Sequence, residues 1–434
     1  MRRFRLARDW NKDQTGDEKE KRTHGAPEVA NSKIVGARIL LANRATSFSE
    51  APDQFASFHY KNKIPPEAWT KRMQPDRDFW RNRPVCVLGG TGFLGYHLSR
   101  QLREVGARVR VFGLPPSEHH PLRNEPGFDL RFGDVLKFEP VRDAVGGCSL
   151  IFNLAGVVSP GRHDPDTFRA IHVEAVRNAI RAADPSARLV HTSSVTAIGA
   201  TRRPVPLDEN SPFTLERLQI DYMHAKRAAE QEALAAAGER DIVVVNPGYL
   251  IGPEDYDLSV MGSLCQRFWR GNVPFAPPGG FNLVDVRDAA TGHLLAAERG
   301  KRGERYILGG ENCSQIEFLR LLARQAGWRP RWLPRVPGWF LFSWARVEEM
   351  RARLRGNRPF PSLQDARVGV RYWYYSSTKA ATELGFLARP LLTSVADTYS
   401  WHQARGFRPL PKLRRAWLRP PQPAAAASAP PSAE

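Results

Sequence analysis

The apolar residues of this chain fall in short runs. Pro84 to Leu88 (PVCVL), Arg108 to Phe112 (RVRVF), Asp129 to Phe132, Leu150 to Leu154 (LIFNL), Leu189 to Thr192 (LVHT) and Ile242 to Asn246 (IVVVN) are of strand length, most of them rich in β-branched residues. Between them lie segments of helical periodicity, among them YHLSRQLREVG after Gly95, Pro165 to Ala183 and Glu216 to Ala237. Continuous apolar strands alternating with helices predict repeated βαβ units. The fold class expected is therefore α/β, a doubly wound parallel sheet covered on both faces, with ligands at the carboxyl ends of its strands. After Gly252 the alternation stops. Met261 to Trp269, Gln315 to Ala326 and Trp339 to Leu354 read as helices of a smaller, mostly helical lobe built over the strand ends.

This pattern divides the chain into four parts. Residues 1–80 show no sustained period and read as a poorly ordered extension; Met73, just ahead of the first strand pattern, reads as a second candidate start. Residues 81–250, which carry the alternation, read as a first domain, and residues 251–408 as a smaller lobe, with 282–299 returning to the first domain. Residues 409–434 contain PPQPAAAASAPPSAE, a composition that predicts a disordered tail.

Composition narrows the function classes. With 434 residues, 42% hydrophobic and 25% charged, the chain is neither disordered throughout nor fibrous. No apolar stretch approaches the roughly 20 residues needed to cross a bilayer, and the N-terminus lacks the apolar core of a signal peptide. Cys86, Cys148, Cys265 and Cys313 are scattered without a CxxC pair, so we expect reduced thiols, no metal and a cytoplasmic location. The net charge of +19 is uneven, for residues 327–434 hold 18 Lys/Arg against 6 Asp/Glu. A coding bias toward arginine accounts for this blandly, and no nucleic-acid motif accompanies it. The rival account is a weak peripheral contact with anionic membrane. It gains from WFLFSWARVEEMRARLRGNR, where an apolar head meets a basic continuation, although core packing is the default for the aromatics Trp332, Trp339, Phe340, Phe342 and Trp344.

Chemistry enters at GGTGFLG. It follows a strand and opens a helix, the context in which Gly89, Gly92 and Gly95 would serve a dinucleotide of the Rossmann type. One glycine permits the turn, the next lets backbone N–H groups reach a pyrophosphate at the helix N-terminus, and the third lets helix pack on strand. The second strand ends in Gly113 and Leu114, where an acid would hold the ribose of NAD. His119, His120 and Arg123 nearby could face a 2′-phosphate or be loop residues, so NAD and NADP both stand. Asp134, in FGD, either accepts from the adenine amino group or caps a helix.

Tyr222 and Lys226 form a YxxxK pair on one helix face, downstream of VHTSSVTAIG, which places Ser193 and Ser194 at a strand's carboxyl end. A phenol titrates near 10, so a base at neutral pH needs about 4 kcal/mol of help, which a neighbouring ammonium could give. Tyr222 would move the proton of a hydroxyl while Ser194 hydrogen-bonds the same oxygen. A second pair, Tyr375 and Lys379, follows no nucleotide-facing strand and reads as coincidence.

Together GGTGFLG, FGD, NLAG (Asn153 to Gly156), TSSVTAIG, YMHAK and NPGYLIGPED resemble the extended short-chain dehydrogenase/reductase family, of the NAD-dependent epimerase/dehydratase type. GGFNLVDVRDAATGHLLAAERGKRGERYILGGEN is similar to its dihydroflavonol reductase, 3β-hydroxysteroid dehydrogenase and hopanoid-associated epimerase branch. The resemblance implies Ser194, Tyr222 and Lys226 as the catalytic triad. It implies cofactor contacts from Gly89, Gly92, Phe93, Leu94, Gly95, Asp134, Val135, Leu154, Ala155, Gly156, Thr192, Tyr222, Lys226, Pro247, Gly248 and Leu250. Two departures stand out: His172 replaces the asparagine of the family's NVxGT, and Phe281 and Asn282 occupy the neighbourhood of an arginine that holds a sugar nucleotide's pyrophosphate. The expected function is an NAD(P)-dependent oxidoreductase acting on a secondary alcohol or ketone of an apolar small molecule such as a sterol, terpenoid or flavonoid-like compound. A sugar epimerase and a non-catalytic nucleotide sensor are the alternatives, and homodimerisation through a helix pair is common in the family.

Overall fold

The computed structural model describes residues 73–156, 165–218, 220–328, 333–356 and 359–409, all within a compact unit, Glu67–Glu434. In chain order the first elements are α1 (Arg77–Trp80), β1 (Pro84–Leu88), α2 (Phe93–Glu104), β2 (Arg108–Gly113), β3 (Asp129–Phe132), α3 (Phe138–Val145), β4 (Leu150–Asn153) and α4 (Pro165–Ala182). Then come β5 (Arg188–Thr192), α5 (Asp221–Ala236), β6 (Ile242–Pro247), β7 (Tyr249–Ile251), α6 (Val260–Trp269), β8 (Gly280–Asp285), α7 (Val286–Arg299) and β9 (Arg305–Leu308). The chain closes with β10 (Glu311–Ser314), α8 (Gln315–Gln325), α9 (Gly338–Arg355), α10 (Leu363–Gly369), β11 (Tyr372–Trp373) and α11 (Leu391–Ala404).

Seven strands form one parallel sheet in the order β3-β2-β1-β4-β5-β6-β9. Successive side chains point to opposite faces, and both faces are covered. Val85, Val87, Val243 and Val245 pack with Leu98 and Leu102 of α2 and Leu294 and Leu295 of α7. Cys86, Ile151, Leu189 and Val244 pack with Val141, Val176, Ala229 and Ala233 of α3, α4 and α5. That double burial is why these strands read as unbroken apolar runs. The crevice between β1 and β4, where the strand order reverses, faces the ends of β5 and β6.

Two expectations need correction and a third an addition. The lobe is mostly helical, and β8 also centres a small second sheet within it, antiparallel to β10 and parallel to β7 and β11. Strands of two to six residues such as YW and ENCS carry too few positions to show a period. The main sheet also reclaims Arg305–Leu308 as its seventh strand, beyond the 282–299 expected to return. Finally, the folded body begins before residue 81: Trp80 is fully buried, donates its indole N–H to Glu298 Oε1, and packs near Met73. The rest of the extension and the tail from 410 lie outside the described residues.

Candidate active site

The glycine loop is shaped by what it touches. Gly89 has φ +79°, and a β-carbon there would lie 2.8 Å from the Ala155 nitrogen. The turn therefore leans on the residues that leave β4, and only glycine fits. At Gly95 a β-carbon would run into the Gly89 carbonyl, so this glycine serves the packing of α2. Gly92 differs: it is exposed, caps α2 without any side-chain hydrogen bond, and a β-carbon there would meet only the Gly89 carbonyl, at an ordinary 3.5 Å. Unsatisfied N–H groups at an open helix N-terminus are what a pyrophosphate requires, so the loop fits a dinucleotide. Phe93 and Leu94 make the first turn, half-buried beside the crevice.

Asp134 does not cap α3, whose N-cap is Lys137; its Oδ1 accepts from Leu136 N at 3.0 Å in a local turn. Val135, half-buried, gives its carbonyl to Asn178 of α4. The residues considered for a 2′-phosphate mostly serve the fold. His120 is buried, accepts from Leu122 N and packs against Tyr96 and Tyr256, while Arg123 ties down the carbonyls of Pro116 and Ser117. His119 is exposed.

Leu154 and Ala155 extend β4, and the Asn153 side chain accepts from Ala155 N. Gly156 is wedged against His172, since a β-carbon would reach His172 Cε1 at 2.5 Å and Lys226 Nζ at 3.5 Å. At the end of β6, Pro247 is buried, the Gly248 N–H is taken by Leu308 O, and Leu250 packs toward the main core.

Tyr222 and Lys226 come from the first two turns of α5. The helix starts at Asp221, later than Glu216, because Ile220 is extended at φ −133° and ψ 99°. Ser194 opens the turn after β5. Its Oγ accepts from Thr196 N at 3.2 Å and Thr196 Oγ1 at 3.0 Å, which occupies its lone pairs and frees its own proton for donation. The Ser194 hydroxyl lies close enough to the Tyr222 phenol to favour its ionised form. Lys226, 5% exposed, donates to the Thr192 carbonyl at 3.0 Å, and the Thr192 hydroxyl meets His293 Nε2. The three expected catalytic residues thus come together at the carboxyl end of β5.

Their electrostatics differ from expectation. Burial pushes the Tyr222 phenol up to about 12, and the Ser194 hydroxyl offsets this only in part. Burial pushes the Lys226 ammonium down to about 8, with Glu230 working against it. Lowering such a phenol to neutrality would take roughly 7 kcal/mol, more than the roughly 4 kcal/mol of a cation at contact near a protein surface. The resting phenol is an acid.

His172 is buried with its ring edge-on to Tyr222 at 5.8 Å and stacked on Phe168, whose ring also meets Tyr222 edge-on at 6.5 Å. The departure at this position therefore sits against Tyr222. Behind it His191 is held well below the usual histidine range by burial, with Lys226 and His172 adding to the effect. The site also contains a network absent from the expectation. Glu230, fully buried on α5, pairs with Arg305 at 2.7 Å and accepts from Asn246 Nδ2 at 2.6 Å; the same amide nitrogen donates to the Ser194 carbonyl at 3.0 Å. Glu230 lies four residues past Lys226 and eight past Tyr222, a helical spacing open to inspection in the sequence. Asn282 is structural, bonding Asn312, Gly310 N and Gly310 O, and so is the second pair: Tyr375 donates to Gly199 O and Lys379 to Glu304.

Beside the Ser194 turn a cleft of about 540 Å³ is lined by Thr201, Arg202, Thr214, Arg217, Leu218 and Arg371. Arg371 is depressed by burial and by the neighbouring charges of Arg202 and Arg367. Among the described residues no carboxylate pairs with Arg202, Arg217 or Arg371, and no cluster of side chains could hold a metal ion. No described helix is long and apolar enough to cross a membrane.

Comparison with known proteins agrees with this geometry. Residues 85–309 match the model of the NAD dependent epimerase/dehydratase family. The chain is 37% identical over 328 residues to a Synechocystis sp. protein whose provisional name is dihydroflavonol 4-reductase, covering 74% of this chain and 95% of that one. It is 29% identical over 339 residues to sterol demethylase protein B of Methylococcus capsulatus, covering 74% and 99%. A solved nucleoside-diphosphate-sugar epimerase from Pseudomonas aeruginosa shares the fold with a TM-score of 0.60 at 22% identity, covering 75% of this chain and 98% of that one. The chain is an enzyme of the extended short-chain dehydrogenase/reductase type and belongs to the NAD-dependent epimerase/dehydratase family.

Proposed function

We propose that this enzyme reduces a ketone on an apolar small molecule to a secondary alcohol, or runs that reaction in reverse, with NAD or NADP. The observation that carries the reading is the pairing of Tyr222, a phenol held protonated by burial, with Ser194, a hydroxyl whose lone pairs are spent on Thr196. Both groups can donate to one substrate oxygen, and Tyr222 gives up its proton as the alkoxide forms. A bound nicotinamide dinucleotide would supply the hydride. Lys226, one turn on and fixed by the Thr192 carbonyl, compensates the phenolate left behind. Similarity to sterol demethylase protein B and to the Synechocystis protein supports an apolar substrate.

A second reading, epimerisation of a nucleotide sugar with no net redox change, is favoured by the cleft of Arg202, Arg217 and Arg371, which would receive a diphosphate. The two readings separate with a reduced cofactor deuterated at the transferring position. Supplied in stoichiometric amount with a panel of sterol, terpenoid and flavonoid ketones, it should deliver deuterium to the alcohol product. Cofactor that stays bound and is regenerated while sugar nucleotides interconvert would overturn the reductase assignment.

A further inference from the structure

Helix α9 breaks the usual division between a buried apolar face and a wet polar one. Leu341, Ala345 and Ala352 point inward and are buried, the first two with Val336 and Ala366. The opposite side is apolar too: Trp339 is 72% exposed, Met350 60% and Leu354 82%, with Val347 between them. Spacings of eight, three and four residues put these four side chains in one stripe along the helix. Among the described residues ten large hydrophobics are exposed, and five of them, counting Trp344, lie on this one helix. Core packing, the default account of the aromatic cluster, therefore fails for Trp339; Trp332 lies outside the described residues.

The charges around the stripe are one-sided. Glu348 is held by Arg351 at 2.8 Å and Glu349 accepts from Leu363 N at 2.9 Å, so both acids are engaged. Arg346, Arg353 and Arg355 are exposed, and among the described residues none has a carboxylate partner. The helix starts against Val370, the residue before Arg371 of the cleft: a β-carbon on Gly338 would lie 3.2 Å from its side chain.

We propose that this outer face of α9 docks the enzyme on an anionic lipid bilayer, with Trp339, Met350 and Leu354 entering the headgroup boundary and the arginines bonding lipid phosphates. Apolar side chains flanked by long cationic ones are suited to that interface, where guanidinium groups reach outward while their stems stay apolar. A second copy of the chain is a poor occupant. A two-fold contact would set the same patch against itself, opposing Arg346, Arg353 and Arg355 of both copies with no carboxylate between them. The docking does not depend on the substrate assignment.

The test is co-sedimentation of the full chain with vesicles of phosphatidylcholine alone or with phosphatidylglycerol, at physiological salt. Wild type should pellet with the anionic vesicles and remain largely in the supernatant with neutral ones. Met350→Glu/Leu354→Glu should lower partitioning at least tenfold, and Arg346→Gln/Arg353→Gln/Arg355→Gln about a hundredfold, near fivefold per arginine. Sedimentation velocity runs alongside. The proposal is overturned if wild type ignores anionic vesicles, if the variants bind them as wild type does, or if Met350→Glu/Leu354→Glu instead converts a dimer to a monomer.

Discussion

Helices α5 and α9 depart from the same rule in opposite directions. Helix α5 carries charge inward, with Lys226 and Glu230 buried, whereas α9 carries hydrophobic surface outward, at Trp339, Met350 and Leu354. On α5 each buried charge has partners: Thr192 for Lys226, and Arg305 and Asn246 for Glu230. On α9 the apolar groups stand largely in solvent, with the ring of Phe340 edge-on to Trp339. The contrast separates two uses of energetic cost. In the readings proposed above, the desolvated charge inside serves a reaction that needs an acid and a cation, and the uncovered surface outside meets an external partner.

The comparison can be broken at its most strained point first. Replacing Glu230 by Leu leaves the half-buried Arg305 without its carboxylate and frees Asn246 from the helix, so unfolding free energy should fall by about 3–5 kcal/mol. Equilibrium urea denaturation measures this, and a loss below about 1 kcal/mol would mean the network holds nothing together.

Lys226 gives an effect of opposite sign. Its folded pKa, about 8, lies below its ordinary value of 10.5, so the buried ammonium weakens the fold below pH 8 and the penalty is relieved as pH rises toward 10.5. Lys226→Met should be roughly 2 kcal/mol more stable than wild type at pH 7, after allowing for the unsatisfied Thr192 carbonyl. That advantage should shrink toward pH 10, while turnover is lost at every pH. A variant less stable at pH 7 would contradict the burial account.

The smallest effect belongs to α9. Leu354→Asn touches nothing buried and should change stability by no more than about 0.5 kcal/mol, with turnover of a water-soluble ketone unaltered. A loss above 1 kcal/mol in thermal or urea unfolding would show that the outer face is packed within the protein.

How far the sequence reaches follows from the same physics. The main sheet was legible because burial on both faces demands unbroken apolar strands, and the meeting of Tyr222, Lys226 and Ser194 was legible because they come from two short segments of recognisable order. The second sheet was not, since β7, β10 and β11 draw stability from β8 across the chain instead of from local pattern. The start of α5 was misplaced because Glu216 and Arg217 favour helix while the chain there lines a cleft. Glu230 showed a signal in its spacing, but its partners Arg305 and Asn246 are joined to it only by the sheet. The phenol's upward shift could not be read at all, because it comes from desolvation, which a list of neighbouring residue types does not report.

The account turns on Tyr222 as the proton donor, and the direct measurement is single-turnover reduction by Tyr222→Phe beside a titration of its cofactor affinity. The hydroxyl's removal should slow the chemical step by roughly 10²–10⁴-fold, the range of general acid catalysis, while the dissociation constant for the dinucleotide changes by less than about threefold. A Tyr222→Phe enzyme that reduces ketone at the wild-type rate with normal cofactor binding would contradict the account.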